Sequence, residues 1–297
     1  MEMTSKMKTA MEIKNKNFGN VIEFAYPNET MAISTTSNEC SLSCAHCNGH
    51  YLKNMTPMND YKDKIKGKNV SSFLLSGGCS FEGDVPINKH INTIKQLKEE
   101  GYKLNAHLGL MDEESLSEVC KYIDTVSFDL VFDEDTIKEV YKINKTKEDY
   151  IKAYESIQQK TEVAPHICIG LKGGEIKGEY EVINYLSQNT PNKITFIVLI
   201  PTKGTEYENV NPPNLERVAN VLCEARINMP NTEINLGCMR PRGNYRKELD
   251  ILALNCGVNR IVLPSRDAKN KASQMKMTII ESKECCVLWL DYHSERQ

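Results

Sequence analysis

Cys40-Ser41-Leu42-Ser43-Cys44-Ala45-His46-Cys47 spells C-x3-C-x2-C, and this run decides most of what the chain can be and do. Three closely spaced thiolates can hold three irons of a [4Fe–4S] cube. The fourth iron is then left without a protein ligand, open to a small molecule that binds through its own nitrogen and oxygen. A structural zinc site is the competing reading. Zinc wants four closed ligands, usually as two pairs. His46 lies between two of the thiols, where chelating the same ion is strained, and His50 is the geometrically better fourth ligand. Three unrelated buried thiols are the remaining alternative.

Around this run lies a chain of 297 residues, the size of one barrel domain, with 40% hydrophobic residues and a net charge of −3. That charge gives no reason to expect nucleic acid or an anionic membrane as partner. There is no apolar run of membrane-spanning length, and Met1-Glu2-Met3-Thr4-Ser5-Lys6 lacks a signal-peptide core. The expectation is a cytoplasmic protein. Its 11 cysteines, without a secretory signal, point to thiols and metal rather than disulfides. An iron–sulfur cluster open to solvent also implies a reducing, anaerobic cell.

Short apolar runs alternate with amphipathic segments from residue 30 onward. Expected strands are 31–34, 72–75, 104–108, 125–130, 166–170, 194–200, 233–236 and 260–263. Between them, Leu215, Val218, Ala219, Leu222 and Ala225 form a helical stripe, and Leu249, Leu252, Ala253 and Cys256 form another. Such alternation reads as a parallel α/β sheet covered by helices: a TIM-type barrel, (β/α)8 or open (β/α)6. Residues 1–20 are read as a polar N-terminal tail or a short elaboration, 21–270 as the barrel, and 271–297 as a C-terminal segment folding back over the barrel mouth. In barrels of this kind the chemistry sits at the C-terminal ends of the strands. The cysteine run follows the first strand, where that rule puts it.

Ser76-Gly77-Gly78 closes the second strand, and Cys79 follows it. Asp129 ends the fourth strand, where its carboxylate can accept ribose hydroxyls; a cap role is the alternative. With the cysteine run, these stretches resemble the radical S-adenosylmethionine (SAM) superfamily. Ile200-Pro201-Thr202-Lys203-Gly204-Thr205 and Ile167-Cys168-Ile169-Gly170, followed by Gly173-Gly174-Glu175, resemble its biotin-synthase-like group over residues 30–265. The resemblance implies that Cys40, Cys44 and Cys47 ligate a [4Fe–4S] cluster that cleaves SAM to a 5′-deoxyadenosyl radical. It implies that His46, Ser76, Gly77, Gly78, Asp129, Cys168 and Gly170 contact SAM, although Cys79 stands where the family usually has glutamate.

Biotin synthase holds a second, sulfur-donating cluster on three cysteines and an arginine. Of the cysteines Cys168 matches, and either Arg240 or Arg242 could match the arginine; the other two cysteine positions fall near Leu74 and Asn105, so biotin synthase itself is rejected. Cys79, Cys168, Cys238, Cys285 and Cys286 remain as candidate ligands of a second iron–sulfur cluster, with burial as small apolar residues the alternative. Cys120, Cys223 and Cys256 sit in helical patterns and are expected to pack. Arg240 and Arg242 follow the seventh strand and are candidates for an anionic substrate group. His107, late in the third strand, is a candidate proton donor or relay.

The shared half of the implied mechanism is hydrogen abstraction from an unactivated carbon. Cys47–Leu52 and Gly237–Gly243 resemble the archaeal-type, two-component lipoyl synthase, a sulfur-inserting transferase acting on a protein-bound octanoyl group. Its partners would be a small-molecule or protein-bound acyl substrate, an electron donor and a paired radical SAM protein. The rivals are an amino-acid or carbon-skeleton reaction of the methylornithine synthase or hydrogenase-maturase kind, and a non-catalytic metal-binding subunit.

Overall fold

A computed structural model describes residues 3–288. Eleven strands, all parallel, make one curled sheet: β1 (Val21–Ala25), β2 (Thr30–Ser34), β3 (Thr56–Pro57), β4 (Ser72–Ser76), β5 (Lys103–Ala106), β6 (Thr125–Asp129), β7 (Glu162–Ile169), β8 (Lys193–Val198), β9 (Glu233–Leu236), β10 (Arg260–Val262) and β11 (Thr278–Ser282). Their order across the sheet is β11-β1-β10-β9-β8-β7-β6-β5-β4-β2-β3. The eight expected strands are β2 and β4 to β10, and the result is the expected TIM-type partial barrel. β1 runs into β2 through residues 26–29, yet β1 pairs with β10 while β2 pairs with β4. Those partners stand at opposite flanks of the eight-stranded core, so the curl brings the flanks together here.

Strand pleat sorts the side chains. On β6, Val126 and Phe128 are buried against the helices, while Thr125, Ser127 and Asp129 take the other face. On β7, Ile167 and Ile169 are buried, and Ala164, His166 and Cys168 share the opposite face. The apolar core therefore lies between sheet and helices, and the barrel interior is polar. It includes Asn105, Ser127, His166, Thr195, Asn235 and the Arg260–Glu23 ion pair (3.2 Å).

The helices are α1 (Ser5–Phe18), α2 (Tyr61–Ile65), α3 (Ile91–Glu99), α4 (Glu113–Val119), α5 (Glu134–Thr136, running on as a π-helical turn, Ile137–Tyr141), α6 (Lys147–Gln158), α7 (Glu179–Gln188), α8 (Leu215–Asn228), α9 (Asn244–Asn255) and α10 (Arg266–Gln274). Both expected stripes are buried: Val218, Ala219, Leu222 and Ala225 in α8, and Leu249, Leu252 and Ala253 in α9. Cys120, Cys223 and Cys256 are buried too, as expected.

Two expectations about the termini are corrected. Residues 5–18 are not a tail but the alternative, a short N-terminal elaboration: they form α1, capped by Thr4 and packed on α8 and α9. Its buried stripe is Met7, Ala10, Met11 and Lys14, and Lys14 donates to the carbonyls of Gly19 (2.8 Å) and Val21. A lysine in the stripe is what hid the periodicity. Among the described residues, 271–288 do not cover the mouth. β11 adds beside β1, and residues 283–288 then enter the barrel at the opposite end, among the first residues of the strands. There Thr30 accepts from Cys285 N (2.9 Å), Lys193 Nζ donates to Val287 O (2.9 Å), and Arg260 donates to Glu284 O (3.1 Å). These polar strand starts offer hydrogen-bonding partners to a segment that has no ladder of its own. Residues 289–297 of the expected segment lie outside the described residues.

Candidate active site

The cysteine loop leaves β2 and is pinned from several sides. Thr36 Oγ1 accepts from Gly78 N (2.7 Å), Ser41 N donates to Cys79 O (2.8 Å), and Ala45 N donates to Val140 O (2.8 Å). Asn48 and Gly49 turn the chain through left-handed backbone (φ 46° and 71°) straight after Cys47. Cys40, Cys44 and Cys47 are half-buried free thiols on the wall of one cavity of 280 Å³. His46, Ser76, Gly77, Gly78, Cys79, His107 and Asp129 line the same cavity. The structure thus brings together the triad and most of the residues singled out from the sequence.

The electrostatics describe a site short of positive charge. Burial, then the neighbouring Cys47 and Cys40 thiols, push the Cys44 thiol up to about 12. Burial also raises Cys47 and Cys79. Bound iron would offset this by charge, since metals deprotonate coordinating thiols outright. Burial holds His46 down to about 4, and its Nδ1 has no hydrogen-bond partner; its ring meets Tyr141 edge-on at 5.6 Å. Burial lowers His107 too, and the Asp129 carboxylate opposes that shift at both histidines.

Among the described residues no three His, Cys, Asp or Glu side chains gather tightly enough for a single metal ion. A closed zinc site requires such gathering. A cube does not, because each thiolate binds a different iron. Three thiols on one cavity wall are a donor set that suits a cluster, and Gly77 and Gly78 pack closely against the loop that carries them.

Other expected residues lie elsewhere. Arg240 is corrected: it is fully buried, with Nε on Asp250 Oδ1 (2.8 Å) and Nη1 on the carbonyls of Gly237 (2.6 Å) and Val262 (2.9 Å). Nη2 donates to Leu263 O (3.2 Å), so four of the five N–H groups are engaged within the protein and the side chain does not line the cavity. Arg242 is exposed and does not line the cavity. Cys168 shares the barrel-facing side of β7 with His166 but does not line the cavity, and Gly170 N donates to Glu179 Oε1 (2.7 Å). Gly170 has φ 75°, and a Cβ there would meet Pro213 at 2.7 Å, so this glycine serves packing. Cys238 lies beyond β9, and its carbonyl accepts from Arg246 (3.1 Å).

Sequence reasoning missed Tyr51, Tyr141, Ile143 and Tyr150, which close the cavity from loops and helix starts after β2 and β6. No periodic signal marks the loop residues; only their position downstream of mouth-facing strand ends could have flagged them.

No protein-family model matches the chain. It is 25% identical over 279 residues to a biotin synthase of Francisella tularensis subsp. tularensis, covering 87% of this chain and 85% of the relative. It is 26% identical over 183 residues to the Prochlorococcus marinus biotin synthase, 59% of this chain and 52% of that protein. The alignments extend the resemblance carried by the triad. The chain is similar to biotin synthases in sequence. The fold agrees: the methylornithine synthase crystal structure matches at TM-score 0.63 and 18% identity, over 92% of this chain and 88% of that one. The chain presents three thiols on the wall of the cavity, beside Gly77 and Gly78.

Proposed function

We propose that this radical SAM enzyme inserts sulfur into an acyl chain, as in lipoyl biosynthesis. A [4Fe–4S] cluster on Cys40, Cys44 and Cys47 supplies the electron that splits SAM. The observation carrying the reading is the cavity wall. Leu42, Leu52, Met55, Val85, Leu110 and Ile143 line it, and among the described residues no Lys or Arg does. An acyl chain gains from such burial at about 25 cal/mol per Å². A second amino-acid carboxylate, beside that of SAM, would be desolvated there with no lining Lys or Arg to pair with. Arg240, the guanidinium such a substrate would need, is consumed by Asp250 and backbone carbonyls.

The chain's own residues orient the reactants. In this reading the cavity-lining backbone at Gly77 and Gly78 would flank the methionine end of SAM, and the Asp129 carboxylate would accept the ribose hydroxyls. Tyr141 and His46 close one side and exclude water. The test is anaerobic incubation of reconstituted protein with SAM, dithionite and an octanoyl-lysyl peptide, read by mass spectrometry. The reading expects 5′-deoxyadenosine together with a peptide gaining sulfur. Peptide untouched while lysine or tyrosine is converted would overturn it in favour of amino-acid chemistry. No SAM cleavage at all would leave a non-catalytic metal-binding subunit.

A further inference from the structure

Among the described residues, one surplus cysteine shares a wall with the triad. Cys79 lines the same cavity as Cys40, Cys44 and Cys47, whereas Cys168, Cys238, Cys285 and Cys286 do not. Its backbone is clamped to the loop that carries the first of those thiols. Ser41 N donates to Cys79 O (2.8 Å), and Cys40 Sγ donates to the same oxygen (3.8 Å). On one flank, Gly78 N donates to Thr36 Oγ1 (2.7 Å). On the other, Ser80 N donates to Asp84 O (2.8 Å) and Gly83 N to Ser80 O (3.1 Å), closing a tight turn. Cys79 therefore cannot move away from Cys40 without breaking hydrogen bonds on both sides. Its free thiol is half-buried, close enough for the charges of Cys40 and Cys44 to bear on it.

Four thiols on one wall match the four irons of a cube, one to each iron. Asp129 and His107 also line the cavity, but a thiolate is the softer donor and competes better for such iron. The adjoining Gly77 and Gly78 are where the proposed function places the methionine end of SAM, so the Cys79 thiolate and SAM would contend for the same iron. We infer that Cys79 is a displaceable fourth ligand of the cluster on Cys40, Cys44 and Cys47, closing its open iron until SAM arrives. Displacement breaks the bond from Cys79 Sγ to iron, and the amino nitrogen and carboxylate oxygen of SAM take its place. The proton that the SAM ammonium sheds ends on the departing Cys79 thiolate. The exchange is thus redox-neutral and needs no further reactant. Between turnovers Cys79 keeps the fourth iron tethered to the protein, where a cube held by three thiolates sheds that iron on oxidation. This role presupposes the cluster of the proposed function and deepens it by adding a guard on the reactive iron.

The experiment reconstitutes full-length protein anaerobically with ferrous iron and sulfide, then oxidises it mildly with ferricyanide in the absence of SAM. Wild type should keep about four irons and show no three-iron EPR signal. Cys79→Ala should load the same iron, then shed one and give the three-iron signal. Its affinity for SAM should rise severalfold, because no ligand has to be displaced. A fall in that affinity would mean that Cys79 only contacts SAM, and overturns the inference. So does wild type that gives the three-iron signal, or a Cys79→Ala variant that oxidises as wild type does. Should the variant misfold by circular dichroism, alkylation of wild type decides. Reconstitution should protect Cys40, Cys44, Cys47 and Cys79 from iodoacetamide. Adding SAM should expose Cys79 alone, by way of the second, polar cleft that it lines with Glu39, Ser41 and Asp84. Cys79 labelled before SAM, or still protected after it, overturns the exchange. Wild type that takes up no iron defeats the cluster itself; iron-loaded wild type that sheds one iron on oxidation defeats the role of Cys79 alone.

Discussion

A Cβ placed on Gly78 would stand 2.0 Å from the carbonyl oxygen of Glu39, and 2.5 Å from Cys40 Cα. The end of β4 is thus pressed directly against the start of the cysteine loop. The glycine is required by this close approach, since its φ lies outside the left-handed region. An added methyl must push the backbone that positions Cys40, and overpacking of this kind costs about 1–3 kcal/mol. Gly78→Ala is therefore expected to lower iron incorporation at least severalfold with the far-UV circular dichroism unchanged. Full iron loading with only SAM affinity reduced would instead place the glycine's role at the ligand.

Arg240 and Asp250 form a fully buried ion pair, at 0% side-chain exposure on both sides. Asp250 also accepts from Ser265 N (2.7 Å), tying the mouth of β9 to the start of α10. Removing one partner strands a buried charge at a cost of about 3–5 kcal/mol. Asp250→Ala should lose that much in urea unfolding. Exposed Arg242→Ala should stay within about 0.5 kcal/mol of wild type. A mild Asp250→Ala would mean that the Arg240 charge finds solvent.

Burial lowers His46 to about 4 and also lowers His107 and His166. In the unfolded chain each titrates near about 6.5. Below that pH the unfolded state binds protons that the folded state refuses. Stability is therefore fully present above about pH 6.5 and falls as pH drops toward 4, by up to about 1.4 kcal/mol per unit per histidine. Urea midpoints of the metal-free protein should fall between pH 7 and pH 5, and less steeply in His46→Phe. A midpoint that holds or rises at pH 5 contradicts these buried neutral histidines.

The eight barrel strands were legible because β-branched and aromatic runs alternate with helical stripes, and Cys40–Cys47 marks the mouth without help from the fold. β1 and β11 were not. Val21–Ala25 carries Glu23 mid-strand, a charge that makes sense only once Arg260 stands 3.2 Å away. β3 is two residues long, too short for any period. Arg240 looked like a ligand because it follows a strand at the mouth. Only the turn back to α9 shows that it braces the loop from within. The tail was misplaced for a related reason: its partners, Thr30, Asn105, Lys193, Asn235 and Arg260, come from five strands and share no sequence pattern.

The most direct test of the central claim is 5′-deoxyadenosine formed from SAM and dithionite by anaerobically reconstituted protein. The wild type is expected to produce it, and the Cys40→Ala/Cys44→Ala/Cys47→Ala variant to fall to background while keeping its circular dichroism. Equal 5′-deoxyadenosine from the variant, or none from iron-loaded wild type, would contradict the assignment of these three cysteines to radical SAM chemistry.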